Sequence, residues 1–398
     1  MIKDTLKDVL IKSVNFLGLS SEIIGTPNKN NTVKEWCARN AAKPGVAYKL
    51  ITPEKQVHEK PPVSFDGFVP SLFSDEYQRL QTEAFVATIP NARVWGCWGA
   101  VISPDDYLLY DVSREFGRYG GVFGEEHSIN KNIKLHKIKF IAGNVAVLST
   151  AGCNNYHHWM YDVLPRVQLL KAAGVFDSMD YFIIDHNKLP YQAESLQQLG
   201  IPETKIMYSI DNWRFHIKAA KLFIPALPAR WGTVNGWTID FLRKTFLTPG
   251  RVKANGKIKL YLSRRKAPSR KLVNEAAVLK QLEALGFREF FAEDFSIKET
   301  AEIFSSCSAV VGVHGSGFAN LAFCQPGTKV IDILAPNHYD GYYWIISNYN
   351  QLSYAMIFGK GELPQPATDL VRHKVNEDID IDTAELLSLY HRINEMPC

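Results

Sequence analysis

The sequence predicts an α/β protein with two Rossmann-like units behind an irregular N-terminal extension. Apolar runs suited to buried strands alternate with amphipathic helical stretches over residues 152–225 and again over residues 259–334. The chain has 398 residues, 46% of them hydrophobic and 22% charged, which is enough for two ordinary domains. We expect the extension at residues 1–75, the first unit at 76–247, the second unit at 248–375 and a final helix at 376–398.

The extension opens with an amphipathic helical pattern within residues 1–19. Ile2, Leu6, Val9, Leu10 and Leu17 share one face. Such a helix can pack on protein or lie on an anionic membrane surface, and both interpretations stay open. Charged residues interrupt the pattern, so it does not resemble a signal peptide.

The first unit is expected to begin with strands and to continue with alternating helices and strands. A hairpin is predicted from a strand at 94–102 and a second strand at 107–110, and the glycine-containing loop at 118–126 is predicted to be mobile. The remaining predicted elements are a strand pair at 137–141 and 145–149, a helix from 155, strands at 180–185, 205–209 and 219–224, and helices at 191–199 and 237–246.

The second unit contains the stretch that suggests a ligand most directly. A buried strand at 309–313 leads into a turn of small residues, a helix start at 318 and another strand at 330–334. In such a turn, backbone N–H groups and the positive end of a helix dipole face an anion. The turn and helix start contain His314, Gly315, Ser316, Gly317 and Asn320, and we expect a nucleotide diphosphate to bind there. A tight turn without a ligand is the alternative.

A cluster of cations follows the first strand of the second unit. Arg264, Arg265 and Arg270 come directly after the strand at 259–263, where an arginine fork can bind a pyrophosphate. A solvated basic loop is the alternative. Asp332 is a carboxylate within an apolar strand and needs a partner, either a ribose hydroxyl or a local hydrogen bond.

The predicted helix after residue 155 carries the residues best suited to proton transfer. His158 and Asp162 are four positions apart and lie on one helical face. An aspartate beside an imidazole can act as a general base, or it can orient the imidazole to do so. Pro165 is expected to weaken the helix here. The alternatives are a helix cap and a structural core histidine.

Charge and cysteine content exclude several classes of protein. The formal net charge is only +4, which does not indicate nucleic-acid binding. The six cysteines are scattered, without C-x-x-C pairs or a Cys/His cluster at zinc spacing, which favours a reducing compartment. No stretch of about 18 apolar residues is present, so no membrane span is predicted.

Three motifs in order resemble glycosyltransferase family 61, over residues 90–340. They are Asn155-Tyr156-x-His158-Trp159-x-x-Asp162-x-Leu164-Pro165-Arg166, Ser263-Arg264-Arg265 with Arg270, and His314-Gly315-Ser316-Gly317-x-x-Asn320 with Pro326-Gly327. That family includes bacterial capsular-polysaccharide enzymes and plant xylan-decorating pentosyltransferases. The resemblance implies a GT-B fold, with two Rossmann-like domains facing across a cleft and a final helix that often crosses back to the first.

The resemblance also implies inverting transfer from a nucleotide sugar, with uridine as the expected base, to a glycan or lipid-linked glycan. No cofactor or metal is expected, in agreement with the lack of an Asp-x-Asp motif in a suitable context. We expect a cytoplasmic enzyme of polysaccharide synthesis, at the inner face of the membrane if residues 1–19 bind lipid. Asp162 is the favoured base, with His158 as the alternative. The acceptor is expected near Trp95, Asn155, Tyr156 and the Gly120–Gly124 loop.

Other classes of function also fit parts of the sequence. A metal-dependent hydrolase would use His158, Asp162 and His314, and a sugar- or nucleotide-binding protein would bind without turnover. A Rossmann oxidoreductase is disfavoured because the third glycine of its fingerprint is missing. Many members of the resembled family carry glutamate where this chain has Asp332, which leaves the ribose role open. The sequence does not define the oligomeric state.

Overall fold

A computed structural model describes residues 9, 13, 25–27, 29–117, 120–122, 126–132, 134–209, 212–248, 250, 256–362 and 376–396. Most of the predicted N-terminal helix lies outside these residues. Its described members, Val9 and Ser13, are helical and exposed. Much of the loop predicted to be mobile, residues 118–126, also lies outside them.

The strands and helices alternate through most of the described chain, which confirms the predicted α/β class. The strands are β1 Lys29–Asn31, β2 Ala47–Thr52, β3 Lys55–His58, β4 Val63–Ser64, β5 Gln78–Gln81, β6 Ala84–Pro90, β7 Arg93–Trp95, β8 Ala100–Ile102, β9 Tyr107–Leu109, β10 Glu115–Gly117, β11 Gly120–Val122, β12 Lys139–Val147, β13 Tyr181–Ile184, β14 Ile206–Tyr208, β15 His216–Pro225, β16 Ile258–Leu262, β17 Phe287–Phe290, β18 Cys307–Val313, β19 Lys329–Leu334 and β20 Ser353–Phe358. The α-helices are α1 Val33–Arg39, α2 Ser71–Ser74, α3 Tyr156–His158, α4 Leu164–Ala173, α5 Pro190–Leu199, α6 Gly236–Phe246, α7 Glu275–Ala284, α8 Ile297–Phe304, α9 Tyr342–Tyr349 and α10 Thr383–Glu395.

The described residues form two compact units, whose boundaries differ from the predicted ones. The first unit lies within Met1–Glu54 and Glu83–Pro228, and the second within Lys55–Thr82 and Ala229–Cys398. Helix α6 was expected in the first unit but belongs to the second, where Arg243 Nη1 donates to the carbonyl oxygens of Ala322 and Cys324, both at 2.7 Å. Such long-range contacts leave no local pattern in the sequence.

The first unit contains a mixed sheet in the order β1-β9-β8-β7-β15-β12-β13-β14, and β6 also pairs with β15 and β2. Strands β12 to β15 are parallel where they pair with one another. Two predictions here are wrong. The strand expected at 94–102 is divided into β7 and β8, because Gly96 and Gly99 form a turn with φ angles of 74°. The pair expected at 137–149 is one strand, β12, with a register shift between Ile141 and Asn144.

The second unit contains a sheet in the order β17-β16-β18-β19-β20-β4, in which all pairs are parallel. Parallel strands of this kind are covered on both faces, and β18 and β19 are accordingly almost entirely apolar and buried. Helix α10 packs against this core through Leu386, Leu389, Tyr390 and Ile393. The final helix therefore contributes to the core of the second unit.

Two further sequence predictions concern membrane spans and cysteines. Within the described part of the chain, no helix has both the length and the apolar character needed to cross a bilayer. The cysteines there are buried thiols, at positions 37, 97, 153, 307 and 324.

Candidate functional site

The first group of candidate residues lies in the second unit, where β16 and β18 end beside each other. The spatial order of strands is β17-β16-β18-β19-β20, so the order of the chain reverses between β16 and β18. Open parallel sheets bind ligands at the carboxyl ends of two strands related in this way. Arg264 comes after the end of β16 and His314 comes after β18. The fold therefore brings together two of the residues predicted to bind the donor.

Backbone carbonyl groups hold two arginines next to each other at this edge. Arg264 donates to the carbonyl oxygen of Ser269 from Nη2 at 3.0 Å and to that of Arg270 from Nε at 3.2 Å. Arg270 Nη1 in turn donates to the carbonyl oxygen of His314 at 3.4 Å. Burial, and then the charge of Arg270, lowers the pKa of Arg264 to about 10, so Arg264 is charged at neutral pH.

The two guanidinium groups form a half-buried concentration of positive charge. Burial also lowers the pKa of Arg270, because the charged form loses hydration. Among the described residues, Arg270 Nε is buried and has no hydrogen-bond partner. A bound anion would offset the repulsion between the two cations and satisfy further donors.

The turn after β18 is shaped by the position of Arg264. A Cβ atom on Gly315 would lie 2.1 Å from Arg264 Nη1, whereas one on Gly317 would meet nothing nearer than Leu262 Cδ1 at 3.9 Å. Gly315 has a φ angle of 174°, which any residue can adopt. Glycine is therefore required at position 315 for space, and the space is occupied by the guanidinium of Arg264.

The helical turn at Ser316–Phe323 begins directly after Gly315 and contains Gly317. The first N–H groups of a helix have no partners within it, and they favour an anion. Ser316 is half-buried at this helix start, whereas Asn320 is completely buried. Asn320 Nδ2 donates to the carbonyl oxygen of Gly317 at 3.0 Å. Asn320 therefore stabilises the turn.

His314 lies between two carboxylates. Its Nδ1 is 2.8 Å from Oδ2 of Asp332, and its Nε2 is 3.2 Å from Oδ2 of Asp340. Burial lowers the pKa of the imidazole, but the two carboxylates outweigh burial and raise it to about 9. Both ring nitrogens are therefore protonated at neutral pH, and His314 adds a third cation to Arg264 and Arg270.

Asp332 has a different environment from the one that a ribose-binding residue would need. Its side chain is completely buried, and Oδ2 accepts hydrogen bonds from His314 and, at 3.0 Å, from the hydroxyl of Tyr354. The carboxylate therefore orients His314 and keeps it charged. This is the local hydrogen bond that the sequence allowed as an alternative to a ribose hydroxyl. Sequence reasoning missed Tyr354 and Asp340, because neither belongs to a recognisable motif.

Arg265 does not join the other two arginines. It forms an ion pair with Glu289, and its Nε lies 3.8 Å from Oε2 of Glu275. Its side chain is 55% exposed, which is typical of a surface ion pair. The expectation that all three arginines form one cluster therefore holds for Arg264 and Arg270 in this structure.

Three side chains near this edge have the residue types of a metal site. The ligand atoms of His314, His338 and Asp340 lie within 4.8 Å of one another. Burial, and then the charges of Arg270 and His314, lower the pKa of His338 to about 3, so cations already lie close to these side chains. The expectation that no metal is bound stays a prediction.

The second group of candidate residues lies in the first unit, on the helical stretch that starts at α3. A π-helical turn, Trp159–Val163, connects α3 to α4, and Pro165 lies in the first turn of α4. Proline has no N–H group, so the regular hydrogen bond at this position cannot form, and we attribute the wider turn to that loss. The predicted weakening at Pro165 thus takes the form of a π turn that contains Asp162.

His158 and Asp162 are in direct contact. His158 Nδ1 is 2.8 Å from Asp162 Oδ2, and Arg114 Nη1 is 3.4 Å from the same oxygen. Burial raises the pKa of Asp162, but Arg114 and the hydrogen bond from His158 outweigh burial and lower it. Asp162 is therefore ionised and accepts a hydrogen bond from the Nδ1–H group, which leaves Nε2 as the ring nitrogen that can take up a further proton. This pair can accept a proton from an alcohol.

The surroundings of His158 hold its ring in one place. A Cβ atom on Gly152 would lie 2.6 Å from His158 Cδ2 and 2.9 Å from Phe116 Cζ, and Gly152 has a φ angle of +87°. The Phe116 ring contacts the imidazole edge to face, with 5.8 Å between centroids.

Arg166 is completely buried and anchors the helix through the carbonyl oxygens of Ser149 and Pro225, at 3.0 and 2.9 Å.

The residues predicted to bind the acceptor occupy different environments. Asn155 caps the helix, since its Oδ1 accepts hydrogen bonds from the backbone N–H groups of His157 at 2.9 Å and His158 at 3.4 Å. Tyr156 is half-buried, and Trp95 is buried within β7. Contact of these residues with an acceptor remains a prediction. Sequence reasoning missed Arg114, which is remote from His158 in the chain and has no motif.

Comparison with known proteins defines the class to which this geometry belongs. Residues 156–331 match the family model described as Glycosyltransferase 61. The matched stretch starts with the helix of His158 and Asp162 and extends through Arg264 and His314 to β19. Over these residues the chain is similar to glycosyltransferase family 61, and the match supports a glycosyltransferase, an enzyme with a sugar donor and a glycan acceptor. Comparison with curated proteins gives no match.

Proposed function

We propose that the chain is an inverting, metal-independent glycosyltransferase that transfers a sugar from a nucleotide sugar, with uridine as the expected base, to a hydroxyl group of a glycan. The observation that carries this proposal is the cluster of Arg264, Arg270 and charged His314 where β16 and β18 end. The diphosphate gains negative charge as its bond to the sugar breaks. Fixed cations in a half-buried site stabilise that charge.

The cluster supplies the positive charge that a divalent metal provides in other enzymes. Among the described residues, Arg264 and Arg270 donate hydrogen bonds to backbone carbonyl groups rather than to carboxylates, so their positive charge remains available to an anion. A metal ion would supply Lewis-acid charge at the same oxygens. Both N–H groups of His314 already donate to Asp332 and Asp340, so in this scheme His314 contributes positive charge and the hydrogen bonds to the diphosphate come from the two arginines.

In the transfer step, an acceptor hydroxyl loses its proton to His158 Nε2 as its oxygen bonds to the anomeric carbon of the sugar. The bond from that carbon to the diphosphate oxygen breaks at the opposite face, and its electron pair leaves with the diphosphate. The configuration of the anomeric carbon is thereby inverted. Asp162 stabilises the resulting imidazolium through the Nδ1 hydrogen bond of 2.8 Å.

This assignment exchanges the two roles that were favoured from the sequence. Asp162 was the favoured base, with His158 as the alternative. Asp162 has a lowered pKa and shares its Oδ2 atom between His158 and Arg114, which makes its carboxylate a weak base. His158 is better suited to accept the proton, and Asp162 to orient it.

The proposal extends to the organisation and setting of the enzyme. In the GT-B scheme, the second unit binds the nucleotide sugar and the first unit provides the base and the acceptor site. The two α/β units support this division of roles. A lipid-linked glycan at the inner face of the membrane would suit the amphipathic pattern of residues 1–19. Polysaccharide synthesis, such as capsule formation in the cytoplasm, is the expected setting.

The test is a transfer assay with uridine diphosphate sugars and a panel of glycans, in the presence of a chelator. We expect a product of inverted anomeric configuration by NMR, and a loss of transfer in Asp162→Asn no greater than that in His158→Gln, even though this variant still binds nucleotide. Chelator-sensitive activity would contradict the metal-independent mechanism. Nucleotide binding without transfer or donor hydrolysis would favour a binding protein. Full activity of Asp162→Asn would exclude Asp162 from the mechanism.

A further inference from the structure

The first unit contains an aromatic pocket next to His158. The pocket has a volume of about 460 Å³, within the range of about 300–1,000 Å³ that is usual for small-molecule sites. Three tryptophans and a phenylalanine form its apolar wall, and polar side chains form the remainder. Its lining includes Trp95, Trp98, Phe116, Ser128, Lys134 and Trp213.

The aromatic rings form a continuous series. Trp213 lies 5.6 Å from Trp95 and 5.2 Å from Trp98 between ring centroids, and Trp98 lies 5.6 Å from Phe116. Gly96 permits the close approach of Trp213, because a Cβ atom there would lie 3.3 Å from its ring. Aromatic rings packed in this way lose little further freedom when a ligand binds, which favours affinity.

The wall of the pocket is unusually exposed for such large apolar side chains. Trp213 is 43% exposed and Phe116 is 45% exposed, whereas most rings of this size are buried in the core. Exposed apolar surface of this kind commonly marks a binding site. Both rings are held by neighbouring aromatic groups, so their exposure is a fixed feature of the pocket.

The polar part of the pocket can bind hydroxyl groups. Lys134 is exposed. No aspartate or glutamate lies between Glu126 and Asp162, so the residues next to Lys134 in the chain offer it no ion pair. Glu115 also lines the pocket, but its Oε2 accepts the N–H of Ser128 at 2.7 Å and its Oε1 accepts the Ser128 hydroxyl. The pocket thus combines aromatic faces with hydrogen-bonding groups, which matches the two kinds of surface on a sugar ring.

The pocket extends to the proposed base through one shared residue. Phe116 contacts both Trp98 and the imidazole of His158, at 5.6 and 5.8 Å between centroids. A ligand that packs against Phe116 therefore lies within one ring of the proposed base. This proximity connects the pocket to the acceptor.

We propose that the pocket binds a pyranose ring of the glycan acceptor, with the C–H face of the sugar against Trp98 and Trp213 and its hydroxyl groups toward Lys134 and Ser128. This inference rests on the proposed function in one respect, because it is the proposed function that identifies the bound sugar as part of the acceptor. An apolar aglycone or the apolar side chains of a peptide would leave the polar part of the pocket without hydrogen bonds.

The test measures binding of soluble tetrasaccharides of glucose, xylose and N-acetylglucosamine by the change in tryptophan fluorescence. We expect at least one of them to bind, and Trp213→Ala to weaken its binding by about tenfold or more, because one aromatic wall is lost. Trp213→Phe retains a ring and should recover most of the affinity. Phe140→Ala is the matched control, since Phe140 is an exposed ring of the same unit outside the pocket lining.

Binding of inorganic pyrophosphate to the same proteins separates this inference from the proposed function. Pyrophosphate binding without binding of any tetrasaccharide would overturn the pocket assignment and leave the donor site intact. Tetrasaccharide binding that depends on Trp213, without pyrophosphate binding, would overturn the donor site and support the pocket. Equal tetrasaccharide affinity in Trp213→Ala and the unchanged protein would also overturn the assignment, as would binding of octanol in place of any sugar.

Discussion

Each unit contains a histidine whose Nδ1 lies 2.8 Å from an aspartate Oδ2, yet the two pairs have opposite properties. In the first unit, His158 contacts Asp162, and Arg114 shares the same carboxylate oxygen. In the second unit, His314 lies between Asp332 and a second carboxylate, Asp340. The carboxylate that contacts His158 is thus shared with an arginine, whereas His314 contacts two carboxylates.

This difference decides which chemistry each pair can perform. Two carboxylates raise the pKa of His314 to about 9, so it is a fixed cation suited to a leaving diphosphate. In the first unit, Arg114 and the hydrogen bond from His158 lower the pKa of Asp162, so the carboxylate stays ionised, and we propose the imidazole as the group that accepts a proton. The same pair of residues serves as a base or as a cation, depending on its third partner.

The largest predicted effect concerns the pair in the first unit. His158→Gln removes the proton acceptor, and we expect transfer to slow by about 10²–10⁴-fold, the usual contribution of a general base. Pyrophosphate affinity should not change. Transfer assays and calorimetric titrations measure the two quantities. Imidazole added to His158→Ala should restore part of the rate, and a rate near that of the unchanged protein in His158→Gln would assign the proton to another group.

The next effect concerns the cationic edge of the second unit. In Gly315→Ala the new Cβ atom would lie 2.1 Å from Arg264 Nη1 and must displace the guanidinium. We expect pyrophosphate affinity to fall by about tenfold or more, the value of one charge-assisted hydrogen bond.

Gly317→Ala is the matched control for this substitution, because its Cβ atom would have no contact closer than 3.9 Å. Titration calorimetry compares the two variants. Equal losses of pyrophosphate affinity in both variants would indicate that the glycines are needed because they let phosphate approach the backbone. They would argue against a need for space for Arg264. Unchanged affinity in Gly315→Ala would show that Arg264 is dispensable.

A smaller effect is expected from pH. The pKa of His314 is raised to about 9 in the folded protein, above its unfolded value of about 6.5. Its ion pairs therefore stabilise the fold fully below about pH 6.5, and this contribution is lost as the pH rises toward 9. Pyrophosphate affinity should fall over the upper part of that range, as His314 loses its charge.

Replacement of Asp332 tests the origin of this pH dependence. Asp332→Asn removes one of the two carboxylates, so the pH at which half the pyrophosphate affinity is lost should move below its value in the unchanged protein. Affinity measured from pH 6 to 10 gives both profiles. Identical midpoints would contradict the role of Asp332 in charging His314.

The smallest effect is expected for Arg265, whose side chain is 55% exposed and paired with Glu289. Arg265→Gln should change the free energy of unfolding by less than about 1 kcal/mol, because surface ion pairs contribute little. Its pyrophosphate affinity should match that of the unchanged protein. A large loss measured by titration would mean that Arg265 leaves Glu289 to bind the ligand.

The sequence predicted the features that depend on local patterns. Buried apolar runs indicated β18 and β19, and the four-residue spacing of His158 and Asp162 indicated their contact. Features that depend on distant residues could not be predicted. The fold brings Arg114 to Asp162, Tyr354 to Asp332 and Asp340 to His314, and nothing near them in the chain marks their roles.

The predicted unit boundary failed for the same reason. Helix α6 follows the first unit in the chain, but Arg243 binds carbonyl groups of residues 322 and 324 in the second. The division of 94–102 into two strands was visible in principle, since Gly96 and Gly99 both adopt left-handed conformations in the turn. Two glycines three positions apart, Gly96 and Gly99, are the sequence signal of this turn, and the prediction of a single strand overlooked it.

The central claim is that the second unit binds a diphosphate through its own cations, while His158 takes no part in that binding. Calorimetric titration of inorganic pyrophosphate, with a chelator present, tests it on the unchanged protein, Arg264→Gln and His158→Gln. We predict equal affinity for the unchanged protein and His158→Gln, and an affinity at least about tenfold lower for Arg264→Gln. Binding that disappears with the chelator, or that is unaffected by Arg264→Gln, would contradict the account.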